Sequence, residues 1–338
     1  MTIGNNTSEC PLYNSTFGLF RLSPLYIGDT NVHEKRHLRI HARRLLDILS
    51  GEASHNVNFG PMIGNDFTTR IGALQGVTWD TIGEIDFYGA EVESAPESHR
   101  DDQTMTNTSF GMIITFSYEK VEYQAILLGN EGESRKNGFC YFPLLLLKMP
   151  GSLKQIFTEF LATTFDARTS CLLLSSRQLI NCCEKYLSNI SLDRIDEPLD
   201  TAEGNEDFRD IIKEVTIVMG FILPERLTTL KTISFQITRE DVYRMFSIKS
   251  KPGDAPFFEA LADHLKAHLA LNLWDERVKI MKVACGAFVL SDEGRVKVTR
   301  PLGATVDTLL IRANKILING IIEIAKTGIL HRQKSKDA

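Results

Sequence analysis

Segments with strand-type patterns follow one another along the chain in neighbouring pairs, and this order constrains the fold more than any other feature of the sequence. Residues 111–128 form two adjacent apolar runs, the first with alternating side chains, which predicts a hairpin. Residues 278–298 contain a second pair, with Gly294 at the reversal. Helical patterns do not alternate with single strands, as parallel sheets require. The sequence therefore predicts an α+β protein of two domains, each a largely antiparallel sheet with flanking helices.

An acidic segment divides the chain of 338 residues. Residues 191–210 are rich in aspartate and glutamate, contain Arg194 and Arg209 as their only basic residues, and have few apolar side chains. A segment of this composition buries too little apolar surface to form a core, which is typical of a linker. We therefore predict an N-terminal α+β domain at 1–190, an acidic linker at 191–210 and a C-terminal α+β dimerisation domain at 211–338.

Periodicity assigns most of the remaining chain to helices and strands. The predicted helices cover residues 32–49, 152–165, 176–190, 256–273 and 305–327. The predicted strands outside the two hairpins cover residues 12–26, 71–88, 139–147, 171–174 and 230–238. Gly51 is expected to end the first helix and Ser176 to cap the third, and Thr238 with Asp241 resembles a capping box.

Charge, cysteine spacing and hydropathy exclude several classes of protein. The formal net charge of −5 gives no overall positive field that would attract nucleic acid or anionic lipid. The six cysteines never form a Cys-x-x-Cys pair, which predicts reduced thiols and no metal or other cofactor. The N-terminus shows no signal-peptide pattern, and the longest apolar runs, of about nine residues, are half of a membrane span. We expect a protein of the nucleus or cytoplasm, without membrane contact.

One motif suggests metal chemistry. His33, Glu34 and His37 satisfy the His-Glu-x-x-His pattern of zinc hydrolases, and His41 follows one turn later. However, Lys35 and the neighbouring arginines would surround a zinc ion with like charge, so a solvated helix face explains the pattern better. No nucleophile-elbow motif Gly-x-Ser-x-Gly and no phosphate-binding Gly-Lys-Ser/Thr motif occurs, whereas catalytic triads that assemble only on folding stay open at the level of sequence. We therefore predict that the protein is not an enzyme, with a zinc-dependent hydrolase using His33-Glu34-x-x-His37 as the alternative.

Two surfaces are candidates for binding. The helix at 32–49 carries a basic face that could contact DNA phosphates or be ordinary solvated surface. The candidate phosphate contacts are Arg36, Arg39, Arg43 and Arg44. The strands of the second domain have few helices to cover them, so an open sheet edge could pair with a partner strand or be protected within the monomer. The candidate partner-binding residues are Ile233, Phe235, Ile237, Val283, Cys285, Ala287 and Val289.

Several segments together resemble fungal members of the centromere protein L family, which are subunits of the inner kinetochore. The resemblance covers nearly the whole chain apart from the acidic linker and residues 91–108. In the first half it rests on Leu12-Tyr13-Asn14, Leu22-Ser23-Pro24-Leu25-Tyr26, His41-Ala42-Arg43-Arg44-Leu45, Gly72-Ala73-Leu74-Gln75 with Trp79, residues 143–150, and Leu161-Ala162-Thr163-Thr164-Phe165-Asp166. In the second half it rests on Lys231-Thr232-Ile233, Arg239-Glu240-Asp241-Val242 and Gly286-Ala287-Phe288-Val289-Leu290.

The resemblance implies a non-enzymatic scaffold of the centromeric kinetochore in the nucleus. It implies a heterodimer with a centromere protein N (CENP-N) homologue through the C-terminal sheet, alongside other inner-kinetochore subunits. It also implies that the assembly holds CENP-A nucleosomes, and that the pair forms a basic channel near centromeric DNA, with the partner carrying most of the charge. Whether the isolated chain forms a homodimer, and which strand is the pairing edge, stays open at the level of sequence.

Overall fold

The computed structural model describes residues 11–28, 34–54, 71–83, 111–129, 135–192, 212–222, 231–247, 256–300 and 306–334. These residues form a mixed helix and strand protein with a large antiparallel sheet and flanking helices, which confirms the predicted α+β class. The helices are α1 (Lys35–Ser54), α2 (Gly151–Phe165), α3 (Ser176–Leu192), α4 (Arg239–Ser247), α5 (Pro256–Leu269) and α6 (Val306–Lys334).

The strands fall into two groups along the chain. The first nine are β1 (Thr16–Leu22), β2 (Leu25–Tyr26), β3 (Leu74–Ile82), β4 (Gly111–Tyr118), β5 (Glu122–Leu128), β6 (Arg135–Lys136), β7 (Phe139–Cys140), β8 (Leu144–Lys148) and β9 (Thr169–Cys171). The others are β10 (Glu214–Phe221), β11 (Thr232–Thr238), β12 (Val278–Ala284), β13 (Phe288–Ser291) and β14 (Arg295–Val298). The two predicted hairpins are confirmed as β4–β5 and β13–β14.

The chain divides into two compact units, which we call the N-terminal and C-terminal units. Within the described ranges, the N-terminal unit comprises residues 17–172 and 322–334, and the C-terminal unit comprises residues 11–16 and 173–321. Helix α3 therefore lies in the C-terminal unit, whereas the sequence analysis placed it in the N-terminal domain. Because residues 193–211 lie outside the described ranges, the linker at 191–210 and a boundary there stay predictions.

The N-terminal unit contains a sheet with the strand order β1-β8-β5-β4-β3. Strand β9 also pairs with β1, and a small second sheet has the order β2-β7-β6. Helices α1 and α2 pack on one another, and α1 covers β3. A cluster of aromatic rings fills the space between them, with Trp79 and Phe165 at 5.9 Å between ring centroids. The buried indole of Trp79 donates its N–H to the sulfur of Met112 at 3.4 Å.

The C-terminal unit contains a sheet with the strand order β11-β10-β12-β13-β14. Helix α3 packs on β12, α4 packs on β10 and β11, and α5 packs on α3 and α4. Paired residues form one row across the sheet on the helix-covered face, namely Phe235, Ile217, Val283, Leu290 and Val296. The next row, on the opposite face, contains Gln236, Thr216, Ala284, Val289 and Lys297, all of which are half-buried or exposed. One face of this sheet thus carries the core, and the other is open among the described residues.

Two buried polar side chains fix helices of the C-terminal unit. Asn314 of α6 is fully buried, and its side-chain oxygen accepts a hydrogen bond from the Tyr186 hydroxyl of α3 at 3.0 Å. Glu184, also on α3, is 7% exposed and accepts a hydrogen bond from the backbone N–H of Phe258 at 2.8 Å. Because Phe258 lies in the first turn of α5, this carboxylate satisfies a donor that the helix itself leaves free. Helix α3 therefore positions both neighbouring helices.

Several predicted boundaries are wrong for local reasons. Helix α1 continues through Gly51 to Ser54, because a glycine weakens a helix without ending it. The predicted strand at 139–147 is interrupted at Pro143, which has no N–H for a sheet, and becomes β7 and β8. The predicted strand at 278–290 bends at residues 285–287 and becomes β12 and β13.

Caps and ends account for the other differences. Strand β9 lies at Thr169–Cys171, earlier than the predicted 171–174, and α5 ends at Leu269 instead of residue 273. Helix α3 is capped by Ser175, whose hydroxyl accepts the N–H of Gln178 at 3.3 Å while Gln178 Oε1 accepts the N–H of Ser175. Ser176 instead accepts the N–H of Ile280 at 2.9 Å, which ties α3 to β12. At the start of α4, Thr238 Oγ1 accepts the N–H of Asp241 at 3.4 Å, as in the predicted capping box, and the Thr238 hydroxyl donates to the carboxylate of Asp241 at 2.9 Å.

Candidate partner-binding site

Strand β11 stands at one end of the C-terminal sheet. It pairs with β10 over its full length of seven residues, and no other described strand pairs with it. The register with β10 runs without a shift from Thr232 to Thr238. The sequence does not show which strand is outermost, and within the described residues that strand is β11.

The backbone of β11 presents regularly spaced hydrogen-bonding groups on its outer side. The N–H of Phe221 donates to the carbonyl of Lys231 at 3.2 Å, so this opposed pair is a hydrogen-bonded one. Hydrogen-bonded pairs alternate along an antiparallel ladder, and the next ones therefore join β10 to Ile233, Phe235 and Ile237. The N–H and C=O groups of Thr232, Ser234 and Gln236 consequently point away from β10.

The side chains of β11 divide between the two faces of the sheet. Ile233 and Phe235 are half-buried and Ile237 is 7% exposed, and all three lie on the helix-covered face. The intervening Ser234 and Gln236 are exposed on the open face. Three of the seven predicted partner-binding residues thus lie on the edge strand.

The other four predicted residues lie on two interior strands of the sheet and in the turn that joins them. Val283 is fully buried on β12, and Val289 is half-buried on β13, a strand that has a neighbour on both sides. Cys285 and Ala287 belong to the turn between these strands, where the N–H of Cys285 donates to the carbonyl of Phe288 at 2.8 Å. Burial raises the pKa of the Cys285 thiol to about 11. A role for these four in partner binding stays a prediction.

The basic face of α1 lies in the N-terminal unit. Arg36, Arg39, Arg43 and Arg44 are all exposed, on the side of the helix opposite its buried leucines. Within the described residues, none of the four guanidinium groups forms an ion pair with a carboxylate. The structure therefore presents these four guanidinium groups to solvent.

The histidines of the His-Glu-x-x-His motif and the following His41 do not share one environment. His33 lies outside the described residues. The Nε2 atom of His37 lies 3.5 Å from a carboxylate oxygen of Glu34, and the ring of His41 packs on Phe165 with 4.9 Å between centroids. Burial is the main cause of a lowered pKa of His41, with smaller contributions from His37 and Arg44. Among the described residues, no group of three or more histidine, cysteine, aspartate or glutamate side chains is arranged to hold a metal ion.

Sequence reasoning missed the apolar residues of α4 and α5 that lie beside β11. Phe235, Ile237, Met245, Leu261, Leu265 and Leu269 line a groove of about 290 Å³ together with Gln236, Asp241, Arg244 and His264. The repeat of leucine at every fourth position from Leu261 to Leu269 was the available signal, but a stripe of this kind also describes an ordinary core helix. No helix among the described residues has the length and apolar composition to cross a bilayer.

These features define an α+β protein in which the outermost strand of a sheet has no neighbour on its outer side within the described chain. The family model for centromere protein L (CENP-L) matches residues 11–326, and the chain belongs to this family. No curated protein gives a significant match to the sequence.

Membership gives the chain its cellular setting. Proteins of the centromere protein L family are structural proteins of the kinetochore, located in the nucleus at the centromere. The chain is therefore a component of the inner-kinetochore complex, together with other subunits, and belongs to the machinery of chromosome segregation in the cell cycle.

Proposed function

We propose that the chain is a non-enzymatic scaffold subunit that pairs with a CENP-N-type partner through the outer edge of β11. In this role it helps to anchor the kinetochore on centromeric CENP-A chromatin. The observation that carries the proposal is the regular, seven-residue strand β11, which pairs with β10 on one side and has no neighbouring strand on the other side among the described residues.

Strand addition is the physical basis of the pairing. Unpaired N–H and C=O groups at a sheet edge can be satisfied by an extended segment of another chain, and each such backbone bond also fixes the register. Thr232, Ser234 and Gln236 present these groups at alternate positions. Ile233, Phe235 and Ile237 form the contact from β11. We propose that Val283 and Val289, on interior strands, and Cys285 and Ala287, in the turn between these strands, support it.

A proline at the outer edge tests the proposal with little damage to the sheet itself. Gln236→Pro removes an N–H that points away from β10, and proline is tolerated on edge strands in this orientation. Co-expressed with the CENP-N-type subunit, the Gln236→Pro chain is expected to elute separately from it on a sizing column, whereas the natural chain elutes with it as a 1:1 complex. Gln236→Ala keeps the backbone N–H and is the matched control, expected to co-elute. Co-elution of the proline variant would contradict the proposal.

The same edge permits a homodimer when the partner is absent. If two copies of β11 pair antiparallel with Phe235 opposite Phe235, then Ser234 of each copy stands opposite Gln236 of the other. Both residues direct their backbone groups outward, so this register forms hydrogen bonds in both directions. We expect the isolated chain to show a concentration-dependent dimer in sedimentation experiments, and we expect the partner to displace the second copy.

A DNA contact is the second part of the proposal. Arg36, Arg39, Arg43 and Arg44 are exposed and lack carboxylate partners in the described chain, which suits contacts to phosphate. Reversal of Arg39 and Arg43 to glutamate should lower the DNA affinity of the complex at low salt and reduce the slope of log K against log salt by about two. A control variant with Lys185 and Lys266 changed to glutamate has the same net charge. Equal loss of affinity in both variants would show a general charge effect and remove the specific contact.

A further inference from the structure

The groove beside β11 is small, is lined mainly by apolar side chains and continues onto the edge strand. Its volume of about 290 Å³ lies below the range of about 300–1,000 Å³ that is typical of small-molecule sites. Its apolar lining comes from three elements, namely β11, α4 and α5. Leu269, at the end of α5, is 59% exposed, and Phe235 on β11 is half-buried. A single exposed leucine is ordinary, but here it continues an apolar surface that begins on the edge strand.

The groove and the open edge share residues. Phe235 and Ile237 turn their side chains into the groove, while their strand carries the outward backbone groups of Ser234 and Gln236. In an antiparallel pair, residues directly opposite one another place their side chains on the same face, with Cβ atoms about 4.5–5.5 Å apart. A strand added to β11 therefore sets every second side chain directly over the groove.

We infer that this groove receives the alternate side chains of the partner strand that pairs with β11, and that these side chains are apolar. The inference rests on the proposed strand addition and assigns the chemistry of the added strand. Residues of that strand opposite Phe235 and Ile237 enter the groove toward Met245, Leu265 and Leu269. The intervening residues lie beside the exposed Ser234 and Gln236 on the open face and are polar.

The rim of the groove limits how the strand can be seated. Asp241 and Arg244 of α4 lie at the groove with 3.7 Å between the carboxylate and guanidinium groups. His264 of α5 also lines the groove. Within the described part of the chain the rest of the lining is apolar apart from Gln236, so charged side chains of the partner find an opposite charge at this rim. The partner strand is thus expected to alternate strictly between apolar and polar residues over the length of β11.

A pair of leucine substitutions tests the inference. Leu269→Glu places a charge in the groove, and it is expected to weaken the complex with the CENP-N-type subunit by about tenfold or more, measured as Kd by titration calorimetry. Leu173→Glu is the matched control, because Leu173 is 63% exposed and does not line the groove. It should leave Kd unchanged. Leu269→Met, which keeps the apolar character, should bind like the natural chain.

The outcomes separate this inference from the proposal on which it rests. Loss of binding in Gln236→Pro together with unchanged binding in Leu269→Glu would overturn the groove inference and leave strand addition intact. Unchanged binding in both would overturn strand addition itself. Equal weakening in Leu269→Glu and Leu173→Glu would also overturn the groove inference, because the effect would not depend on the groove. Both leucines are exposed, so melting temperatures close to that of the natural chain are expected for all variants.

Discussion

Strands β3 and β11 each stand at the end of a sheet in the described chain, but their edges are built differently. The register of β3 shifts between Leu74 and Gly76, and β3 carries the exposed charge of Asp80. Strand β11 has an unbroken register and contains no charged residue, glycine or proline. Irregular register and charge are common ways to keep an edge from pairing with another chain. Among the described residues, β3 therefore carries two features that discourage strand addition, and β11 carries neither of them.

We expect the greatest loss of partner affinity from a proline on the outer side of β11, and no loss from a proline at the matching place on β3. In β3, hydrogen-bonded pairs with β4 fall at Gly76, Thr78 and Asp80, so the N–H of Thr81 points away from the sheet. Thr81→Pro should therefore leave the partner affinity unchanged, whereas Gln236→Pro should abolish the complex. Titration calorimetry with the CENP-N-type subunit measures both. Loss of the complex in Thr81→Pro would show that the distinction between the two edges is wrong.

A change of intermediate size is expected from acidification, which should stabilise the C-terminal unit and destabilise the N-terminal unit. Burial raises the pKa of Glu184 from 4.5 to about 7, against weaker opposing hydrogen bonds from Phe258 and Phe257. The protonated Glu184 side chain therefore stabilises the folded state fully at a pH below 4.5, the pKa of the unfolded carboxyl, and this stabilisation is lost as the pH rises through about 7. His41 has a lowered pKa, so its contribution is present above 6.5 and is lost as pH falls through the lower, folded value.

Hydrogen exchange at pH 8 and pH 5.5 measures this opposition. Amides of α5 should be better protected at pH 5.5, relative to intrinsic exchange rates, and amides of α1 should be less protected. Glu184→Gln keeps an acceptor for Phe258 and removes the titrating group, so it should remove the pH dependence in α5 alone. An unchanged pH dependence of α5 in Glu184→Gln would rule out this carboxyl as its origin.

The smallest expected effect is a gain of pairing at the protected edge. Asp80→Val removes the exposed charge of β3 but leaves the shifted register near Gly76 in place. We expect a weak increase in self-association, visible in sedimentation only at high protein concentration. The matched change on the other edge, Ser234→Asp, should weaken partner binding modestly. A strong oligomer formed by Asp80→Val would mean that the charge alone protects β3.

Local patterns predicted the elements of this fold well, and long-range pairing explains what they missed. The hairpin of β4 and β5 follows from alternation within one stretch of chain. Strand order does not, because Phe235 at the edge and Val283 in the interior have the same alternating pattern and differ only in how many neighbours their strands have. The candidate site could thus be assigned to the C-terminal sheet from sequence, whereas the edge strand could not.

Features that depend on contacts between distant elements were also beyond the sequence. The groove requires α4 and α5 to lie beside β11, and no spacing along the chain indicates that arrangement. Glu184 looks like any surface carboxylate of a helix, yet Phe258 meets it across 74 positions of the chain. The helix cap is a further example. The sequence predicts Ser176 as the cap of α3, but Ser175 is the cap, because Ser176 accepts the N–H of Ile280 on the neighbouring strand.

The buried amide of Asn314 has a consequence for how α6 can be altered. Apolar surfaces of two helices can slide or rotate against each other at small cost, whereas a single polar pair in an apolar setting is satisfied in one alignment only. The hydroxyl of Tyr186 supplies that partner, and the amide nitrogen of Asn314 lies 3.5 Å from the hydroxyl of Tyr13. Exchanges between leucine and isoleucine near Asn314 should therefore be tolerated. Asn314→Leu, in contrast, would allow α6 to pack on α3 in more than one rotational orientation about its axis.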